Sequence, residues 1–221
     1  MPTYYRVDMR RLRFGELWRI APGLPFLAGC FFKLTGIPHR VDTAVTLVDR
    51  IVRLEPGSLD ADIAELLEER GRAWEALGFQ RQFDYTVPMK GSGQRGAARA
   101  FLAQDGGAVA QLLFVEKATP QLTRRMCVSN VTARLGDGRF LSVGSTRKLM
   151  DSPPEFESFP LPGHGPASLW RFFQEKLREP GRAQPVRIAP ESLEAFIVDL
   201  NNRSILFHLQ RGVYVPEESA P

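Results

Sequence analysis

Residues 97–145 read AARAFLAQDGGAVAQLLFVEKATPQLTRRMCVSNVTARLGDGRFLSVGS, four β-type runs folded back on themselves by glycine turns. Ala97–Leu102 and Val109–Glu116 flank Asp105-Gly106-Gly107, and Arg125–Leu135 and Phe140–Ser145 flank Gly136-Asp137-Gly138. Both are hairpin signals, because the glycines supply the positive φ that tight turns require. Phe79–Pro88 adds a fifth run upstream. Strands joined this closely must be antiparallel neighbours, since parallel ones need long crossovers.

Working outward, Leu59, Ile63, Leu66, Leu67, Trp74 and Leu77 recur at helical spacing, and predict one long helix before the strands. Ser58 stands where an N-cap would, Asp60, Asp62 and Glu65 favour the positive end of the helix dipole, and Gly78 suits the helix stop. Val41–Leu54 is β-branched and favours a strand. Arg147–Pro166 carries five prolines and reads as a long loop. Ser168–Arg178 predicts a helix, and Leu193, Phe196, Ile197 and Leu200 a last one that continues through Leu206 and Leu209 to Gly212, ahead of a frayed tail at 216–221.

The expected class is therefore α+β: an antiparallel meander of five to six strands, a long helix packed on it and two C-terminal helices, all on one face. Helix-grip and cystatin-like folds are built in this style, and either leaves a groove between sheet and helix. The expected organisation is a basic, aromatic arm over residues 1–40, a core over 41–178, and a C-terminal helix and tail over 179–221.

With 221 residues, 43% hydrophobic and 24% charged, the chain can bury a core and is not globally disordered. A net charge of +4 is mildly basic and far from that of a histone-like tail. Two cysteines and three histidines give neither a disulfide framework nor a zinc site, so no cofactor and no metal is expected.

The arm carries Arg6, Arg10, Arg11 and Arg13, then Trp18, Phe31 and Phe32 in an apolar run. Glu16, Arg19 and Lys33 interrupt that run and Pro22 and Pro25 break it, so it does not span a bilayer. Arginines beside aromatics suit an anionic headgroup boundary or a protein partner. Packing across the domain is the plain structural alternative. Leu27-Ala28-Gly29-Cys30 also matches a lipoprotein box, which would make Cys30 an acylated residue.

Catalytic motifs are scarce. Gly91-Ser-Gly-Gln-Arg-Gly96 matches G-x-G-x-x-G but leads into a strand, so it reads as a hairpin loop whose Lys90 and Arg95 could meet an anion. His164, in the proline-rich loop with Asp151 near in sequence, is where an enzyme's base would sit. Asn130-Val-Thr132 fits the glycosylation pattern inside an expected strand. Arg124, Arg125, Arg134, Arg139, Arg147 and Lys148 lie at hairpin ends, where they could contact nucleic acid or simply be solvated.

The function expected from this reading is a non-catalytic binding or accessory protein, cytoplasmic and free or held at a membrane. Its arm would dock on a membrane surface or a protein partner, and its groove would hold a small apolar ligand or a partner segment. A small enzyme using His164 and a nucleic-acid binder are the rivals, and lipoprotein export is a minor alternative.

Overall fold

A computed structural model describes residues 3–37, 40–55, 57–86, 89–90, 94–118 and 123–217. The chain runs β1 (Tyr4–Asp8), α1 (Phe14–Ile20), α2 (Leu24–Thr35), β2 (Arg40–Thr46), α3 (Ala61–Glu75), β3 (Phe79–Thr86) and β4 (Met89–Lys90). It continues through β5 (Gln94–Ala103), β6 (Val109–Ala118), β7 (Thr123–Arg134), β8 (Phe140–Gly144), β9 (Phe156–Pro160), α4 (Pro166–Leu177), α5 (Leu193–Gln210) and β10 (Tyr214–Pro216). The class is α+β.

Six strands form the main sheet in the order β3-β5-β6-β7-β8-β9. The first five are the antiparallel meander expected from the glycine turns. At the tip between β5 and β6, Gly106 holds φ +74°, and a Cβ there would lie 2.8 Å from the carbonyl oxygen of Ile188. Only glycine fits that turn.

β9 is a strand inside what reads as loop. It runs parallel to β8, with Phe140 opposite Phe156. Phe156 stacks on Phe140 at 4.7 Å, and Phe159 meets Phe172 at 5.6 Å. An edge strand tolerates proline at its ends, which is why Pro160 can close it. Two tertiary aromatic contacts, rather than local propensity, create this element.

The helices divide over both faces of the sheet instead of sharing one. On one face α3 and α4 pack through Ile63, Leu67, Trp74, Leu169 and Phe173 onto Phe101, Leu112 and Val131. On the other, α5 packs through Leu193, Phe196 and Ile197 onto Ala98, Ala100 and Val109. The strands present apolar side chains on both faces, with a polar patch only beneath part of α5, so each face needs a cover. α3 begins after Asp60, while the Ser58 hydroxyl donates to the Glu55 carbonyl at 2.7 Å instead of capping the helix.

A second sheet, in the order β10-β1-β2-β4, joins the two ends of the chain. Tyr5 pairs with Pro216 and Val7 with Tyr214, and Arg6 closes on Glu217 at 2.6 Å. Within the stretch read as an arm, residues 3–37 carry β1, α1 and α2, and the strand in the 41–54 region ends early, at Thr46. Met9, Leu12, Leu17 and Val213 form a small core of their own beneath α1 and α2.

Candidate functional site

α1 and α2 form a helical pair separated by Ala21, Pro22 and Gly23. Pro25 sits in the first turn of α2, where it costs no hydrogen bond, and Gly36 closes that helix at φ +73°. The two prolines that exclude one long helix therefore permit two short ones. A Cβ on Gly29 would lie 3.3 Å from the Leu17 side chain, so the small residue sets the approach of α1 to α2.

That packing turns the apolar side of α2 outward. Leu24 is 82% exposed, Leu27 61%, Phe31 56% and Leu34 78%, and all four lie within one arc of the helix. Phe14 and Trp18 of α1 are about half exposed beside them, with Trp18 edge-on to Phe26 at 5.2 Å. The only charge in α2, Lys33, is half-buried and donates to the carbonyl oxygens of Arg10 at 2.7 Å and Leu12 at 2.8 Å. An ordinary surface helix hides its apolar stripe and exposes its charges. α2 does the reverse.

The acid in α1 is also removed from the surface. Glu16 is 1% exposed; it accepts from both Nη atoms of Arg211 at 2.8 and 2.6 Å and from the backbone N–H groups of Asp151 at 2.9 Å and Arg13 at 2.8 Å. Burial by itself would raise its pKa, but the Arg211 guanidinium and the two backbone donors outweigh it and hold the carboxyl at about 2. Close by, His208 is buried with no partner for Nδ1 among the described residues, and burial followed by the Arg211 charge pushes its pKa down.

The cations of the segment are mostly engaged. Arg10 is held by Asp8 at 2.7 Å, and Arg13 and Arg19 share Asp151 at 3.0 and 2.6 Å. Arg11 is exposed, and its charge acts on nearby Asp8 without a hydrogen bond or ion pair among the described residues. Between Met9 and Ile37 no exposed carboxylate occurs, so the rim of the apolar face is positive. Phe32 is half-buried against Phe31 at 5.9 Å. Cys30 lies within α2, partly buried, and a cleavage before it would remove β1, the strand that holds β10 and β2.

The remaining candidates fall apart spatially. His164 is exposed with Nδ1 3.2 Å from the Pro162 carbonyl, whereas Asp151 is committed to Arg13 and Arg19, and no bond joins the two among the described residues. Arg95 is paired with Glu116 and Asp60, which neutralises it as an anion site. The Lys90 side chain and residues 91–93 lie outside the described residues. Of the hairpin-end cations, Arg125 is tied to Glu116 and Asp62 and Arg139 to Asp137. Among the described residues no group of three or more His, Cys, Asp or Glu side chains is placed to hold a metal ion.

Apart from this face, a chamber of about 300 Å³ lies between the sheet and α5, bordered by the segment 48–52. Its floor carries Tyr85, Gln111, Asn130, Thr132 and Ser142, and His164 is not among its lining residues. Strand register brings Gln111 opposite Asn130, and Thr132 opposite Ser142, whose hydroxyls meet at 3.0 Å. Gln111 Nε2 donates to the Tyr85 hydroxyl at 2.7 Å, and burial pushes the Tyr85 pKa up. Sequence reasoning missed these residues, because they are scattered over four strands. Leu24, Leu27, Phe31 and Leu34 could have been found, since their spacing is that of one helical face.

Comparison with family models, with curated proteins and with solved structures gives no match. Among the described residues no helix is long and apolar enough to cross a membrane.

Proposed function

We propose that this protein is a non-catalytic peripheral module that docks on an anionic membrane surface through the outward face of α1 and α2. The observation that carries the reading is the inverted polarity of α2, with four large apolar side chains in solvent and its lysine turned inward. Contiguous apolar patches of this kind mark interaction sites. The positive rim selects the partner: Arg11, with Arg13 and Arg19 set against Asp151, leaves two net positive charges, and the segment 9–37 adds no exposed acid.

The magnitudes are those of reversible attachment. Burying the exposed parts of four Leu and Phe side chains contributes roughly 1 kcal/mol each. Each net positive charge adds about 1 kcal/mol near an anionic leaflet. The sum corresponds to a dissociation constant of roughly tens of micromolar.

Flotation with vesicles of neutral and of anionic phospholipid tests this. Binding is expected on anionic vesicles only, weaker at high salt, with a blue shift of Trp18 emission. Leu27→Glu with Phe31→Glu is expected to abolish flotation while leaving the melting temperature unchanged. Absence of flotation on anionic vesicles at low salt would overturn the reading. A dimer dissolved by the same double substitution would instead assign the face to a second copy of the chain.

A further inference from the structure

The chamber under α5 is independent of the docking face. Three small residues on the α5 face of the sheet leave the space: Ala98 lies opposite Tyr85, Ala100 opposite Gln111, and Gly144 opposite Asn130. Ile51, Val52, Leu113, Phe156, Ile197 and Leu200 make the walls apolar. The one charged residue in the lining is Arg50, which is exposed to solvent.

Into this apolar space project polar groups that the fold does not satisfy. Asn130 Oδ1 is buried and without a hydrogen-bond partner among the described residues. The Tyr85 hydroxyl accepts from Gln111, and its own proton has no acceptor among the described residues. A buried polar group left unpaired costs about 1–3 kcal/mol, and almost all such groups in folded proteins find a partner. The floor is thus an incomplete hydrogen-bond network facing an apolar chamber.

We infer that the chamber binds a small, neutral, largely apolar molecule bearing one hydroxyl group, with the hydroxyl seated against Asn130 and the apolar body under α5. A hydroxyl both donates and accepts, which matches a floor holding an unpaired amide acceptor and a free phenolic proton. Neutrality follows from the walls, since no charged group lies inside to compensate a buried ion. Size follows from volume. A dry cavity of about 150 Å³ holds benzene, so about 300 Å³ takes a molecule roughly twice as large, such as a two-ring aromatic alcohol.

The test titrates the full chain with 2-naphthol, naphthalene and 2-naphthoate, which share one apolar body. 2-Naphthol is expected to bind about fivefold tighter than naphthalene, the gain of one neutral hydrogen bond. The carboxylate is expected to bind more weakly than either. Asn130→Leu should remove the preference for the alcohol while naphthalene still binds. Leu113→Phe, which fills the chamber from its apolar wall, should weaken both neutral probes by about tenfold or more, with folding checked by melting. If Asn130→Leu does not fold, the Leu113→Phe comparison decides alone. Failure of both neutral probes to bind, a preference for the alcohol that survives Asn130→Leu, a carboxylate that binds best, or affinities unchanged by Leu113→Phe would each overturn the assignment.

Discussion

Replacing Glu16 by glutamine removes the one charge that ties α1 to the far end of α5. The carboxylate is almost fully buried, and Arg211 is 15% exposed in its side chain, so the pair is shielded from water on one side and near it on the other. Holding a glutamate at about 2 instead of 4.5 corresponds to about 3 kcal/mol of preference for the charged form in the folded state. Partial solvent access at Arg211 reduces the usable share to about 2 kcal/mol. Glutamine keeps the shape and one acceptor for the Asp151 N–H but leaves Arg211 without its counter-charge beside buried His208. We expect Glu16→Gln to lose about 2 kcal/mol at pH 7, read as a shifted urea midpoint at unchanged slope.

The pH dependence gives the sharper check. The folded pKa lies below the unfolded one, so the stabilisation is complete above pH 4.5 and is lost as the pH falls towards 2. The gap between wild type and Glu16→Gln should be constant near neutrality and close progressively below pH 4.5. Other carboxylates held down by arginines, such as Asp8 by Arg10 and Glu157 by Arg182, titrate in both proteins and cancel in the difference. A variant within about 0.5 kcal/mol of wild type at pH 7 would refute the reasoning, as would a gap that persists unchanged at pH 3.

Further outcomes follow from other sites. Arg99 is buried and donates to Asp84 at 2.7 and 3.1 Å, to Glu68 at 2.8 Å and to the Leu67 carbonyl at 3.1 Å. Asp84→Ala should cost about 3 kcal/mol by leaving that buried charge with only the half-exposed Glu68, whereas Asp84→Leu combined with Arg99→Met should recover most of the loss in chemical denaturation. Gly15 of α1 has open space where a Cβ would go, so Gly15→Ala should stabilise by about 0.5–1 kcal/mol. At Gly71 of α3 a Cβ would come within 3.1 Å of the buried Phe101 ring, so Gly71→Ala should lower the melting temperature despite the better helix former. Ending the chain after Gly212 removes β10, and should speed proteolysis within residues 4–46 before the main sheet is cut.

The meander and the long helix were legible because each depends on near neighbours. Glycine pairs at 106–107 and at 136 and 138 set two of the turns, and one apolar face from Leu59 to Leu77 sets the helix. The docking face was half legible: its residues share a helical arc in the sequence, but spacing alone cannot say which way that arc points. The direction comes from Leu17 packing against Gly29 and from carbonyl oxygens that draw Lys33 inward. β9 and β10 exist only because partners distant in the chain, Phe140 and β1, offer them contacts. The chamber depends still more on distance, since Tyr85, Gln111, Asn130 and Ser142 meet only once four strands take their register. Residues close along the chain fix the local periodicity by themselves. Which face is covered, and which polar groups are left waiting for a partner, is settled only when elements far apart in sequence pack together.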